Sequence, residues 1–373
     1  MPMTPERIPG PDRDLPSQGP EEPDTNSRGP QDLREEIRTL ALRCGFDRAG
    51  FAPAGPARHA DRFREWLDRG FAAGMDYLAR SADRRSDPRR ILPEARSVIA
   101  LAVHYGEPGE AERSVRSLAE ARTLSMEGRG EISRYARGTD YHRILDARLK
   151  DLCGILASRY PSHRFRYQAD TGAVLERAWA EAAGIGWIGK NACAIDSQRG
   201  SYFFIAVIIS TLEVPPDAPA ANHCGSCRLC LDACPTEAIV EPFRVDSRRC
   251  ISYLTIENRG PIPEPLRPAL GGLVFGCDIC QEVCPFNRPD RLGGDPDLRS
   301  RPENRHPALR ELAALDAEGF AARFPRSAVR RAKAAGFLRN VQAALRNSVG
   351  DPAPGAAGDQ RSGAPGPAPR SSP

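Results

Sequence analysis

Apolar residues recur along residues 32–211 in two alternating patterns. In some segments an apolar residue returns every three to four positions, which predicts a helix, and in others a short continuous apolar run predicts a buried strand. Helices are predicted over residues 32–45, 141–156 and 174–183, and strands over residues 97–105, 165–170 and 201–211. Helices and strands that alternate in this way predict an α/β domain.

The composition changes at several points, and these changes divide the chain. Residues 1–30 and 350–373 contain mostly Pro, Gly, Ser and charged residues. Such segments bury too little apolar surface to offset the loss of chain entropy, so both ends are predicted to be disordered. Between them we predict an α/β domain over residues 31–215, a cysteine-rich domain over residues 216–290 and a helical C-terminal segment over residues 291–349.

Charge and hydropathy change this picture little. The 53 Lys and Arg residues nearly balance the 49 Asp and Glu residues, so no overall electrostatic field points to a nucleic-acid partner. The chain has no apolar run of about 18 residues, and its N-terminus lacks the apolar stretch of a secretory signal. We therefore expect a cytoplasmic protein without a membrane partner.

Eleven cysteines in a chain without an export signal indicate metal binding or redox chemistry instead of disulfides. Four of them follow the spacing C-x2-C-x2-C-x3-C-P, at Cys224, Cys227, Cys230 and Cys234. Bacterial ferredoxins have this spacing, in which three cysteines hold one four-iron cluster and the fourth binds the other cluster. The sequence therefore predicts a ferredoxin-type domain.

A second group of cysteines supplies three positions of the same motif, at Cys277, Cys280 and Cys284. Cys250 lies between the two groups and brings the number of thiolates to eight, which is enough for two [4Fe–4S] clusters. Crossed ligation then predicts two sets of ligands, which are Cys224, Cys227, Cys230 and Cys284 for one cluster, and Cys234, Cys250, Cys277 and Cys280 for the other.

Two structural zinc sites are the alternative, since zinc also binds C-x2-C pairs. Zinc modules usually separate two such pairs, however, and do not place four cysteines together before a proline. The three remaining cysteines are interpreted as packing residues. Cys153 lies on the apolar stripe of its helix, Cys44 ends the first helix, and lone cysteines such as Cys193 are usually buried.

Two short motifs resemble ligand sites but lack the required context. Residues 184–190, GIGWIGK, match parts of dinucleotide and phosphate loops, yet they follow a predicted helix, and Asn191 replaces the Ser or Thr that would bind magnesium. A turn that ends the helix is the better interpretation. Residues 140–145, DYHRIL, lack the glycine of the D-x-H-x-x-G cobalamin loop, so His142 is interpreted as a surface or helix-capping histidine.

Two neighbouring clusters can pass electrons along one path, so a chain that carries them beside an α/β domain is predicted to be a reductase. Segments such as DTGAVLERAWAEAAGIGWIGKNACAI and FGCDICQEVCPFN resemble the epoxyqueuosine reductase family. The matching segments occur in order, and the resemblance covers about residues 32–347. The full set is residues 170–195, 200–211, 224–239, 249–257 and 275–287.

This resemblance implies a fold of class α+β/α/β. It implies a cobalamin-binding α/β domain like that of reductive dehalogenases, then a ferredoxin-type domain with two [4Fe–4S] clusters and a short helical segment. The implied activity is the last step of queuosine biosynthesis, the reduction of epoxyqueuosine to queuosine at the wobble position of tRNA anticodons. The implied partners are the anticodon stem-loop and an external electron donor such as a flavodoxin or ferredoxin, and the protein is expected to be a monomer.

The resemblance also implies roles for four residues. Asp170 would protonate the departing epoxide oxygen above the cobalt, and because it precedes a predicted helix it could also cap that helix. Arg85, Ser133 and Ser252 would contact cobalamin, as Asp170 would. Two other functions remain open at this point, a corrinoid and iron–sulfur reductase of a small molecule and a ferredoxin-type electron carrier that binds no corrinoid.

Overall fold

The computed structural model describes residues 30–107, 115–287 and 293–348. The two ends predicted to be disordered, 1–30 and 350–373, lie outside the described residues, apart from Pro30 at the start of the first helix. None of the described helices is long and apolar enough to span a membrane.

The described residues form thirteen α-helices and ten strands. The helices are α1 (Pro30–Arg43), α2 (Ala60–Asp68), α3 (Asp76–Arg80), α4 (Ala82–Ser86), α5 (Leu118–Met126), α6 (Tyr141–Arg159), α7 (Glu176–Ala182), α8 (Leu229–Asp232), α9 (Ile251–Ile256), α10 (Ile279–Glu282), α11 (Leu309–Ala313), α12 (Ala317–Arg323) and α13 (Lys333–Ser348). The strands are β1 (Arg48–Pro53), β2 (Ser97–His104), β3 (Glu131–Ile132), β4 (Phe165–Ala169), β5 (Trp187–Ile188), β6 (Ala194–Ile195), β7 (Phe203–Ser210), β8 (Ile239–Glu241), β9 (Arg244–Val245) and β10 (Leu273–Phe275).

The six elements predicted in the N-terminal domain are confirmed as α1, β2, α6, β4, α7 and β7, with their ends shifted by a few residues. The chain leaves α1 through Gly45, whose φ of 86° is open to glycine without strain. The prediction missed β1, β3, β5, β6 and α2 to α5, because short elements show only weak hydrophobic periodicity.

Four strands form the central sheet, in the order β1-β2-β7-β4, and every neighbouring pair is antiparallel. Alternating helices and strands usually give a parallel sheet, but the strands of this sheet are antiparallel. The α+β part of the predicted fold class describes this sheet. The sequence pattern shows that helices lie between the strands. It does not show which strands become neighbours or whether neighbouring strands run in the same direction.

Helices cover both faces of the sheet because both faces of its central strands are apolar. All eight residues of β2 are buried. Ile99 and Leu101 belong to a core that also contains residues of α1, α6 and α13, whereas Val98 and Ala100 belong to a second core with α7. The alternation of side chains along β2 therefore builds a three-layer arrangement.

The cysteine-rich and C-terminal segments pack onto this arrangement. β10 pairs with β3 in parallel, which attaches the second cysteine group to the N-terminal domain. Phe337 and Val341 of α13 are fully buried in the same core as Ile99. A third core joins Ala121 of α5 to Ile251 and Ile279 of the cysteine-rich segment. The two cysteine groups are thereby held against the sheet domain.

Candidate active site

The structure brings the eight predicted cluster cysteines together in two sets of four. The first set, here called the outer set, lines a partly open cavity of about 70 Å³ and comprises Cys224, Cys227, Cys230 and Cys284. Burial, together with the other three thiols of the set, raises the pKa of Cys230 to about 11. Thiols this close together ionise only with difficulty unless a metal centre neutralises them.

The second set, here called the inner set, comprises Cys234, Cys250, Cys277 and Cys280. Burial raises the pKa of Cys277, and the charges of Cys250 and Cys234 add to the rise. The pKa of Cys280 is raised by a hydrogen bond to Cys193, by burial and by the thiols of Cys277 and Cys250. Each set contains the cysteines that crossed ligation groups together.

Zinc sites and four-iron clusters require different spacings of their thiolates. Among residues 30–107, 115–287 and 293–348, no three His, Cys, Asp or Glu side chains converge closely enough to hold one metal ion. A zinc site needs four thiolates about 2.3 Å from a single ion. A [4Fe–4S] cluster holds its cysteines farther apart because each cysteine binds a different iron atom. The two kinds of site therefore differ in how far apart they hold their thiolates.

Hydrogen bonds support two thiols of the inner set. The backbone N–H of Ala238 donates to Sγ of Cys234 at 3.2 Å. Cys250 immediately precedes α9, and the hydroxyl of Ser252 in the first turn hydrogen-bonds to its thiol. Ser252, one of the residues predicted to contact cobalamin, therefore lies directly against the inner set.

Ser133 also lies against the inner set. It is 3% exposed and packs on Gly276, where an added Cβ would lie 2.0 Å from the Ser133 hydroxyl. Gly276 has a φ of 73° and precedes Cys277, so only glycine fits at this position both in conformation and in space. The close approach places Ser133 next to the start of the second cysteine group.

The segment that follows α7 contacts both cysteine sets. Gly184, with a φ of 74°, ends α7, which confirms the helix-terminating turn predicted for this segment. Nζ of Lys190 donates to the carbonyl oxygens of Gly225 at 2.6 Å and Cys227 at 2.8 Å, beside the outer set. Nδ2 of Asn191 donates to the carbonyl oxygen of Cys280 at 3.2 Å, in the inner set.

The three cysteines outside the two sets have different surroundings. Cys153 is 2% exposed in the core that contains Ile99, here called the main core, and Cys44 packs against that core, so the packing prediction is confirmed for both. The thiol of Cys193 instead hydrogen-bonds to that of Cys280. Cys193 therefore packs against the inner set and not within an apolar core.

Asp170 lies in the loop between β4 and α7. The helix begins only at Glu176, with Leu175 before it and no side-chain cap, so the prediction that Asp170 caps this helix is wrong. Asp170 has a φ of 52°, a left-handed conformation that Asp tolerates better than most residues. Its side chain is 57% exposed, which leaves the carboxylate accessible to a bound molecule.

His142 is the partner of Asp170. Its Nε2 lies 2.9 Å from Oδ2 of Asp170, and its Nδ1 lies 2.7 Å from Oδ1 of Asp140. Asp140 also accepts a hydrogen bond from the backbone N–H of His142 and so caps α6. His142 is in the capping turn, as predicted, but it also joins two carboxylates.

The two carboxylates determine where this pair holds its proton. Burial alone would lower the pKa of His142, but the hydrogen bonds and negative charges of Asp140 and Asp170 raise it from 6.5 to about 9. Although the Asp170 side chain is 57% exposed, nearby protein atoms partly desolvate its carboxylate and would raise its pKa, but the hydrogen bond and charge of His142 and a hydrogen bond from Tyr141 lower it. At neutral pH the pair is therefore a protonated imidazole and a carboxylate.

Arg85 and Glu176 are polar groups enclosed beside Asp170. Arg85 is 7% exposed; its Nε donates to Oγ of Ser81 at 2.9 Å, and its Nη1 donates to the carbonyl oxygen of Val174 at 3.1 Å. Oε1 of Glu176 is buried and has no hydrogen-bond partner among the described residues. Burial raises the pKa of Glu176 to about 8, and the charge of Asp170 adds to the rise.

Two features of this region were not predicted from the sequence. One is the contact of His142 with Asp170, and the other is the buried carboxylate of Glu176. The motif DYH at the start of α6 was a usable signal for His142, because a histidine beside an aspartate cap has its ring held in place. Glu176 gave no signal, since a glutamate in the first turn of a helix is common.

Two family models match the chain. Residues 85–171 match the model described as "Epoxyqueuosine reductase QueG, DUF1730", and residues 223–287 match the "4Fe-4S double cluster binding domain". The epoxyqueuosine reductase of Xanthomonas campestris pv. campestris is 39% identical over 321 residues, which are 86% of this chain and 88% of that protein. The epoxyqueuosine reductase of Synechocystis sp. is 42% identical over 301 residues, 79% of this chain and 99% of that protein.

Solved structures are similar over the same extent. An epoxyqueuosine reductase with a tRNA-Tyr epoxyqueuosine-modified stem loop is 32% identical, with a TM-score of 0.76 over 86% of this chain and 82% of that one. The Bacillus subtilis epoxyqueuosine reductase, in a form whose catalytic aspartate loop is swung out of the active site, is 31% identical, with a TM-score of 0.76 and the same coverage.

Proposed function

Because the chain belongs to the epoxyqueuosine reductase family, we propose that it reduces epoxyqueuosine in tRNA to queuosine with the residues described above. The protein is an oxidoreductase. Conversion of the epoxide to an alkene consumes two electrons and two protons and releases water. The observation that carries the assignment of roles is the hydrogen-bonded pair of Asp170 and His142 in a loop open to a bound substrate.

The residues assigned to cobalamin suit a large ligand rich in amide groups. Buried polar groups almost always have a hydrogen-bond partner, and Oε1 of Glu176 lacks one among the described residues. Among the residues that the structure describes, the buried guanidinium of Arg85 bonds to a hydroxyl and a carbonyl oxygen and forms no ion pair with a carboxylate. Cobalamin, when bound and reduced, supplies a strongly reducing cobalt centre. Arg85 and Glu176 would bind its periphery, and Ser133 and Ser252 would hold its position relative to the inner set.

The Asp170–His142 pair would provide the proton for the departing oxygen. The carboxylate of Asp170 is exposed and would face the substrate, and the imidazole of His142, which is hydrogen-bonded to it, holds the proton at neutral pH. A proton that moves from His142 through Asp170 to the oxygen makes the pair one general acid. Asp140 would keep the imidazole oriented, so it is a positioning residue.

The two cysteine sets would conduct the electrons. The outer set lines a partly open cavity, which suits entry from an external donor such as a flavodoxin or ferredoxin. Ser133 and Ser252 lie against the inner set. Burial raises the pKa of the neighbouring Tyr135, and the charges of Asp170 and Asp278 add to the rise, so Tyr135 lies between Asp170 and the inner set. Electrons would therefore pass from the outer to the inner cluster and then to the cofactor beside Asp170.

Turnover of a modified stem-loop tests this function. Anaerobically purified protein with cobalamin and a chemical reductant should remove one oxygen atom from an anticodon stem-loop that carries epoxyqueuosine, as measured by mass spectrometry. The same stem-loop carrying queuosine is the control and should not change. A small-molecule reductase would bind cobalamin but leave the tRNA unmodified, and an electron carrier would bind no cobalamin.

The pKa of His142 predicts the pH dependence of the chemical step. Because the pair carries its proton on an imidazole with a pKa of about 9, single-turnover rates should be level near neutral pH and fall as the pH rises through about 9. Substitution of His142→Gln should slow the reaction and remove this alkaline limb. An unchanged limb in the variant would assign the titration to another group.

Binding of the stem-loop should weaken as salt increases. Phosphates that contact Lys and Arg release counterions, so the logarithm of the association constant should fall linearly with the logarithm of salt concentration. We expect a shallow slope, because the chain carries 53 basic against 49 acidic residues and RNA recognition also uses stacking and shape. An unmodified stem-loop of equal length should show the same slope, since its phosphates are the same. Binding that ignores salt would contradict a phosphate contribution.

A further inference from the structure

Trp187 places its indole nitrogen against the outer set. Its Nε1–H donates to Sγ of Cys224, with the two atoms 3.5 Å apart. The residue is 1% exposed, and its ring packs edge-on against Phe286 and His223, with centroids 4.8 and 4.9 Å away. An indole N–H can only donate, and Trp187 is almost fully buried, so the sulfur of Cys224 is its hydrogen-bond acceptor.

Hydrogen bonds on both sides of Cys224 fix the position of the indole relative to the sulfur. Oδ1 of Asn222 accepts from the backbone N–H of Cys224 at 2.8 Å, and its Nδ2 donates to the carbonyl oxygen of Ile188 at 3.3 Å. Lys190 binds the carbonyl oxygens of Gly225 and Cys227. The strand that carries Trp187 is therefore tied to the cysteine loop before and after Cys224.

A hydrogen bond to a cluster sulfur favours the reduced state, because the reduced cluster carries one more negative charge and attracts the donor more strongly. We propose that Trp187 sets the reduction potential of the outer cluster, keeping it less negative than it would be without the indole, so that a weaker donor can reduce it. The inference rests on the proposed function in one respect, which is that Cys224 is a cluster ligand.

Replacing Trp187 with Phe tests this role in the holoprotein. A redox titration followed by electron paramagnetic resonance should show the outer cluster at a more negative potential and the inner cluster unchanged. At a fixed potential the ratio of reduced to oxidised outer cluster should fall about tenfold, which equals about 59 mV for a one-electron couple. Trp179→Phe is the matched control, since Trp179 is 3% exposed and its Nε1 has no acceptor among the described residues.

An unchanged outer potential in a Trp187→Phe protein with full iron content would overturn the proposal. If that variant loses iron, unsubstituted protein with ¹⁵N-labelled indole decides the question. The reduced outer cluster should then show a nitrogen coupling in pulsed electron paramagnetic resonance, and absence of the coupling overturns the proposal. Failure of the underlying assignment is distinct, because a Cys224→Ala protein that keeps both clusters would show that Cys224 is no ligand.

Discussion

Replacing Asp170 with Asn is expected to slow turnover at least about a hundredfold while the protein folds normally, keeps both clusters and binds cobalamin. General acid catalysis is typically worth about 10² to 10⁴-fold, and an amide cannot take up and release a proton at the departing oxygen. The fold should tolerate the change because Asn, like Asp, accepts the left-handed backbone at this position, where φ is 52°. No helix cap is lost, since α7 begins at Glu176.

The contact with His142 makes this substitution informative. The amide oxygen of Asn can still accept the hydrogen bond that Asp170 accepts at 2.9 Å, so the loop should stay in place. What the variant loses is the carboxylate that passes the proton from His142 to the substrate. The rate should therefore fall through the chemical step and not through substrate affinity.

The measurement is the single-turnover rate with reduced enzyme, together with the cobalt absorption spectrum. Asp151→Asn is the matched control, because Asp151 is an exposed residue of α6, and it should react at the normal rate. An inactive Asp170→Asn protein that has lost cobalamin would make Asp170 a binding residue. Near-normal turnover with cobalamin retained would mean that water or Tyr141 supplies the proton.

Replacing Cys250 with Ala is expected to remove about four of eight irons, because the protein would keep one [4Fe–4S] cluster and lose the other. Cys250 is isolated in sequence, yet its thiol lies with Cys234 and Cys277 in the inner set. The cluster that remains should be the one of the outer set. Iron analysis after anaerobic purification measures the loss, and turnover should stop because the electron path is broken.

Two matched substitutions sharpen this result. Cys153→Ala should keep all the iron, because Cys153 is buried in the main core away from both sets. Cys193→Ala should also keep it, although the Cys193 thiol contacts Cys280 and is the nearest competitor for the eighth position. Iron loss from Cys193→Ala together with full iron in Cys250→Ala would move the eighth ligand to Cys193.

The sequence by itself determined the features that depend on local spacing. The cysteine positions were enough to predict a double-cluster domain, which the family match over residues 223–287 confirms. The main helices and buried strands followed from periodicity, because the core face of an element repeats at the period of its own backbone. Arg85, Ser133 and Ser252 came from family resemblance alone, and their cobalamin contacts stay predictions.

Only the tertiary structure decided the features that join distant segments. The antiparallel direction of the sheet, the contact of His142 with Asp170 and the bond from Trp187 to Cys224 each link parts of the chain that no local pattern connects. The same holds for Cys193, which looked like a packing residue until its loop was placed on the inner set. The physical reason is that hydrogen bonds and charge interactions act only over a few ångströms, so a side chain's chemistry depends on neighbours that the fold supplies.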